Sequence, residues 1–281
     1  MRFVRYTTSG TSQWGVLDDD KIHALDAMPE GPPSYTDMVD PNYRRMVRRT
    51  VETEAVPTLT RSSVSLLAPV PTPGKIVCVG MNYHDHVEEQ DEKVSDNPLL
   101  FAKAPTTVTN PGSPIVHPAD IEQVDYEVEL GVVIGRRGKH IKRTQAQEYV
   151  AGYTIVNDVS ARDAQFSDGQ FFRGKSYDTF SPMGPTLVAG DEFDPNAAGV
   201  SLRVNGTTKQ SSNTEEFIFD VADLIAYISR AMTLRPGDVI STGTPGGVGI
   251  FREPPELLEP GDTVEAEIDG IGVLENNVVA E

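Results

Sequence analysis

The sequence predicts a strand-rich α+β fold, with a small N-terminal unit over residues 1–70 and a larger domain over residues 71–281. Three observations carry this expectation. Apolar and β-branched runs of strand length dominate after residue 74, while helical spacing is sparse. The helices that do occur fail to alternate regularly with the strands, which argues against a doubly wound parallel sheet. The stretch Ala68-Pro69-Val70-Pro71-Thr72-Pro73-Gly74 holds three prolines and cannot continue a regular element, so it reads as a linker.

In chain order, Phe3–Tyr6 and Trp14–Leu17 are short strands around the turn residues Ser9-Gly10, and residues 43–54 form a charged helix. Strands follow at Lys75–Gly80, Val124–Ile134, Gly152–Asn157, Thr186–Val188, Ser201–Val204, Asp238–Ser241 and Thr263–Ile268. Thr144 and Gln147 have capping-box spacing for a short helix ahead of Gly152. Asp220 is placed to cap a helix over Val221–Met232, whose Val221, Leu224, Ile225, Ile228 and Met232 fall on one face.

The chain has 281 residues, 24 Lys and Arg against 42 Asp and Glu, and a formal net charge of −18. Such a charge repels a phosphate backbone and argues against nucleic acid as partner. The acidic excess is spread along the chain as a solvated coat, a pattern compatible with a salt-rich cytoplasm. No apolar run approaches the ~18 residues of a membrane span, and Met1–Thr8 lacks the apolar core of a signal peptide. The single cysteine, Cys78, has no intrachain disulfide partner. A cytoplasmic enzyme without membrane attachment is expected.

The segment Val124-Asp125-Tyr126-Glu127-Val128-Glu129-Leu130 carries the first chemical signal. Read as a strand, it projects Glu127 and Glu129 from one face, about 7 Å apart at their Cα atoms. Like charges so placed repel unless a cation lies between them. A half-exposed strand with a solvated acidic face would show the same alternation. Asp158 ends the apolar strand before it and adds a third carboxylate, with no histidine nearby in sequence. Oxygen ligands alone suit Mg²⁺, Mn²⁺ or Ca²⁺ rather than Zn²⁺, and three of them leave an octahedral Mg²⁺ about three open positions.

Met81–Gln90, if helical, pairs His86 with Glu89 at i, i+3 and His84 with Glu88 at i, i+4. Either pair gives an imidazole oriented by a carboxylate, which a proton-transferring base requires, and spacing does not choose between them. The His-x-His also suggests a cupin-type metal site, but Gln90 and Asp91 stand where that motif needs a glutamate. Thr242–Gly249 is a glycine-rich loop after a strand; it reads equally as a tight turn or as an anion cradle, and it lacks the Gly-Lys-Ser/Thr of a phosphate loop. Lys175 sits in an ordered loop between Arg173 and Pro182.

Taken together, VGMNYHDHVEE, LFAKAPTTVTNPGSPI, DYEVELGVVIG, GYTIVNDVSARDAQ, GKSYDTFSPMGP and GDVISTGTPGGVG resemble the fumarylacetoacetate hydrolase family, in the family's order over roughly residues 75 to 250. The resemblance implies a mixed β-sandwich roll, a homodimer, and Mg²⁺ or Mn²⁺ held by Glu127, Glu129 and Asp158. It also implies a catalytic dyad of His86 and Glu89 with His84 as bystander, and a lysine near the metal at Lys175. Arg162 and Gln165 then lie beside the pocket, and Gly243 and Thr244 belong to the loop at the substrate's acid end. The chain departs from fumarylacetoacetate hydrolases proper in its short N-terminal unit and in lacking a counterpart of their additional aspartate ligand. It looks more like short prokaryotic members acting on 2-oxo or 1,3-dicarbonyl acids, or on 2-hydroxydienoates of aromatic catabolism. Hydrolysis, isomerisation and decarboxylation all fit that expectation. A non-catalytic metal-stabilised binding protein and a cupin-type dioxygenase are the alternatives from other classes.

Overall fold

A computed structural model of the chain describes residues 1–53 and 55–281. The fold is strand-rich α+β, as expected. A large twelve-stranded mixed sheet places Arg2–Thr7, Ser181–Ala189, Val150–Asn157, Val128–Ile134, Val239–Ser241, Ile76–Gly80 and Leu99–Lys103 side by side. A five-stranded sheet, Thr207–Asn213, Gly199–Val204, Thr263–Ile268, Gly272–Ala280 and Ile115–His117, packs against it.

Burial on both faces of the central strand explains its composition. Val128, Leu130, Val132 and Ile134 join a core with Val200, Leu202, Val264 and Ile268 of the five-stranded sheet. Val133 points the other way, into a core with Ile76, Cys78, Val156 and Val239 that also takes Phe3, Leu25, Met38 and Val47 from the N-terminal unit. Fully burying each such Val, Leu or Ile contributes roughly 1.5–3 kcal/mol, an upper figure because unfolded chains are already partly compact. The described N-terminal strands thus extend the main sheet, through Arg2↔Val188 and Phe3↔Leu187, and the N-terminal unit's apolar residues share its core. Across the proline-rich stretch, Ala68 is pinned at both ends of its peptide, donating to Asn110 Oδ1 at 2.9 Å and accepting from Arg5 at 2.7 Å.

Asp220 caps the helix Val221–Ala231 by accepting from the Asp223 N–H, worth about 1 kcal/mol. Val221, Leu224, Ile225 and Ile228 are its buried face, and extended Met232 ends it. The N-terminal helix runs Pro41–Glu52, with Asp40 as cap; the last residue of the expected span, Glu54, lies outside the described residues.

Two expectations require correction. The strand at 124–134 is interrupted: Val124–Asp125 pairs with Ser160–Ala161, while Val128–Ile134 joins the large sheet, and Tyr126-Glu127 bridges the two pairings. Thr144 caps nothing; the element there is a 3₁₀ helix, Arg143–Tyr149, starting after Lys142 without a side-chain cap. Gln147 is drawn instead into tertiary bonds, donating to the Gly190 carbonyl and accepting from the Tyr153 hydroxyl at 3.0 Å. Two distant partners outcompete a local cap.

Candidate active site

The two inner strands of the large sheet deliver the carboxylates. Val128 lies opposite Asn157 and Glu129 opposite Val156, so Asp158 emerges beside Glu127. The Asp158 N–H donates to the Glu127 carbonyl at 2.8 Å, and the Glu127 N–H donates to Asn157 Oδ1 at 3.1 Å. One oxygen from each of Glu127, Glu129 and Asp158 lies within 4.8 Å of the others, and all three residues are buried. Burial, then the charges of Asp158 and Glu127, push the Glu129 carboxyl up to about 8. Burial raises Glu127 as well, but Lys175 and Arg162 more than reverse that and bring it to about 2. A cluster in which one acid is forced to keep its proton has the donor chemistry of a divalent-cation site: oxygen only, convergent, and relieved of repulsion by an ion.

Three buried cations surround the trio. The Lys175 ammonium donates to Glu127 Oε2 at 2.8 Å and Asp158 Oδ2 at 3.0 Å. Burial lowers its proton affinity, but Asp158 and Glu127 outweigh that and the net shift is upward. Lys103 is paired with Asp158 Oδ1 and donates to the Val159 carbonyl at 3.0 Å; its pKa is lowered, chiefly by burial. Arg162 donates to Asp125 through Nε at 2.9 Å and to Gln165 Oε1 at 3.0 Å, and its Nη2 stands in ion-pair contact with Glu127 Oε1 at 2.7 Å.

A cavity of about 120 Å³ opens on two members of the trio, Glu127 and Glu129, and is lined also by Lys175, His86, Gln165 and Thr244. His86 comes from the helix His84–Glu89; its Nδ1 lies 3.2 Å from Glu89 Oε2, and its Nε2 lies 2.9 Å from the Gln90 amide nitrogen. His84 is exposed on the opposite side of that helix. Phe251 faces the His86 ring at 6.2 Å, and Phe101 lies under the Lys175 ammonium at 5.3 Å. The cavity is therefore apolar at its rim and charged at its floor.

The glycine loop is an anion cradle for the protein's own carboxylates. Gly246 N–H donates to Asp85 at 3.1 Å, Gly247 N–H to Glu89 at 2.9 Å, and the Gly249 and Ile250 N–H groups to Asp125 at 2.8 and 3.0 Å. Gly243 N–H reaches Glu129 Oε2 at 3.0 Å, and the Thr244 hydroxyl donates to the Val128 carbonyl. Gly243 has φ +98°, and a Cβ there would lie 2.9 Å from the Asn82 Cβ, so the turn requires glycine.

Lys103 and Asp125 carried no role in the sequence reading. A lysine at the end of the apolar strand Leu99–Lys103 was the one local signal for the first. For Asp125 the signal was its place two residues before Glu127.

A family profile described as the fumarylacetoacetate hydrolase C-terminal domain matches residues 75–279. The chain belongs to the fumarylacetoacetate hydrolase family. A second profile, described as an Rv2993c-like N-terminal region, matches residues 1–41. The mitochondrial oxaloacetate tautomerase of Rattus norvegicus is 50% identical over 226 residues, covering 80% of this chain and 72% of that protein. The fumarylacetoacetate hydrolase of Exiguobacterium antarcticum superposes with TM-score 0.89 at 40% identity, each chain fully covered. The 2-hydroxyhepta-2,4-diene-1,7-dioate isomerase of Mycobacterium marinum superposes with TM-score 0.81 at 36% identity, over 100% of this chain and 99% of that one. The protein is thus an enzyme of the fumarylacetoacetate hydrolase family, whose relatives act on oxo acids. No described helix is long and apolar enough to cross a membrane.

Proposed function

We propose that the chain is a divalent-metal-dependent enzyme that interconverts the keto and enol forms of a small 2-oxo acid, oxaloacetate foremost. The carrying observation is one small cavity lined by Glu127 and Glu129 of the buried, convergent carboxylate trio, by Lys175 and by the Glu89-oriented imidazole of His86. Half identity with oxaloacetate tautomerases supports the substrate.

Mg²⁺ or Mn²⁺ held by Glu127, Glu129 and Asp158 would supply the Lewis acid that binds the 2-oxo acid and acidifies its C3–H. Glu89, itself fixed by the Gly247 N–H, accepts a hydrogen bond from the Nδ1–H of His86 and leaves Nε2 as the base. Substrate entry displaces the Gln90 amide from Nε2. Nε2 then takes the C3 proton, the C–H electron pair forms the C2=C3 bond, and the carbonyl π pair moves onto O2. Lys175 donates a hydrogen bond to that developing negative charge, and return of the proton from His86 to O2 completes the enol. The reverse order gives the ketone. The aromatic rim of Phe101 and Phe251 limits water near the charge, which strengthens these interactions.

The test is the ultraviolet enol absorbance of oxaloacetate, followed with and without Mn²⁺. Equilibration accelerated only when protein and ion are both present supports the reading; an equal rate in excess chelator refutes it. Hydrolysis of an acylpyruvate is the second reading, favoured by the 40% identical hydrolase structure, and product analysis on the same samples separates the two.

A further inference from the structure

A carboxylate offers two oxygens, and a metal takes one or both. In this site each of the three carboxylates has one oxygen held by a donor that is itself fixed. Glu127 Oε1 is in ion-pair contact with Arg162 Nη2 at 2.7 Å, and Arg162 is anchored by hydrogen bonds to Asp125 and Gln165. Asp158 Oδ1 is paired with Lys103, which is fully buried and tied to the Val159 carbonyl at 3.0 Å. Glu129 Oε2 accepts the Gly243 N–H at 3.0 Å, from a left-handed turn with no room for a side chain. The remaining oxygens of Glu127 and Asp158 are the ones that Lys175 bridges.

We propose that Lys103, Arg162 and the Gly243 N–H are positioning groups that restrict Glu127, Glu129 and Asp158 to one metal-facing oxygen each, so that the site discriminates against Ca²⁺ in favour of a six-coordinate ion. The proposal rests on the metal-dependent reading above and deepens it. Mg²⁺ and Mn²⁺ are satisfied by three protein oxygens plus three from water or substrate. Ca²⁺ takes six to eight oxygens and gains its advantage from two-oxygen carboxylates. Recruiting a second oxygen here means breaking a buried ion pair or a buried hydrogen bond to a carboxylate. The three donors come from separate elements, the strand Leu99–Lys103, the helix Arg162–Ser167 and the turn after Val239–Ser241, so no single movement frees all three. Lys103 and Arg162 act through the ligands and touch no reacting atom.

The experiment measures Mn²⁺, Mg²⁺ and Ca²⁺ dissociation constants by calorimetry on the full chain, with thermal shift as a second readout. Lys103→Met removes one holding donor. The lost charge affects all three divalent ions alike, so the ratio of Ca²⁺ to Mn²⁺ constants reports coordination alone. In the wild type Mn²⁺ binds at least about tenfold tighter than Ca²⁺, and Lys103→Met narrows the ratio about fivefold or more, within the range of outer-shell effects on metal sites. Lys103→Arg, which retains a donor, restores the ratio. Arg162→Lys keeps the charge but withdraws the reach to Glu127, and narrows the ratio in the same direction; it decides the matter should Lys103→Met fail to fold. Equal ratios in wild type and variants, or a wild type that binds Ca²⁺ as tightly as Mn²⁺, overturn the proposal and leave the metal-dependent reading standing. A wild type that binds none of the three ions overturns that reading, and this proposal with it.

Discussion

Lowering the pH is a clean perturbation of the carboxylate trio, because the protonation of Glu129 competes directly with an ion. Its carboxyl stands at about 8, lifted by burial and by the neighbouring Asp158 and Glu127. An ion that uses Glu129 must displace that proton. Below pH 8 the apparent affinity then falls about tenfold per unit, so at pH 6 it is about 100-fold weaker than on the plateau, about 2.7 kcal/mol. At pH 7 binding releases roughly 0.9 of a proton from this group. Glu127 contributes little to the release, since Lys175 and Arg162 hold it at about 2. The metal-free fold follows the same linkage: the folded chain keeps a proton on Glu129 that the unfolded chain gives up. Its contribution to stability is full below the ordinary carboxyl range and is lost as pH rises through about 8. Calorimetric titration with Mn²⁺ between pH 6 and 8.5, in two buffers of different ionisation enthalpy, measures both affinity and proton release. A flat affinity across that range, with no buffer-dependent heat, would refute the reasoning.

Three further outcomes are expected. Glu127→Gln removes a ligand and leaves Lys175 and Arg162 short of a charge partner, so calorimetry should show no Mn²⁺ binding and the enol assay no turnover; retention of both sinks the site. His86→Ala should lower kcat by about 10²–10⁴ while Mn²⁺ binding persists, and full activity would mean that another base serves. Ile155→Ala, at a fully buried position of the strand Val150–Asn157, should cost about 2–5 kcal/mol in urea unfolding, and a value under about 1 would show that the core collapses around the gap.

The strands and the helix capped by Asp220 were legible because local periodicity and end signals coincide with what the tertiary structure needs. The nearness of Glu127 and Glu129 was legible too, though its cause was incomplete. Alternation describes one strand, whereas Glu127 sits in a break between two pairings and both faces of the following strand are buried. The pairings that hold the carboxylates were invisible for a plain reason. Lys103 precedes Asp158 by 55 residues, and Gly243 follows Glu129 by 114. No window along the chain contains either pair. The glycine loop was readable as a place where amides gather; that they take Asp85, Glu89 and Asp125 depends on elements more than 120 residues earlier.

Cys78 lies in the strand Ile76–Gly80, fully buried, beside the strand that precedes Gly243, and burial followed by the charges of Asp158 and Glu129 pushes its thiol far above the usual range. Because alkylating reagents attack the thiolate, the folded chain should be inert to them, and labelling waits for this strand to detach. With one cysteine in the sequence, the label reports a single event. Its rate is a clock for the opening of the sheet under the carboxylates, and an ion that ties Glu129 to Asp158 should slow that clock without touching the sulfur.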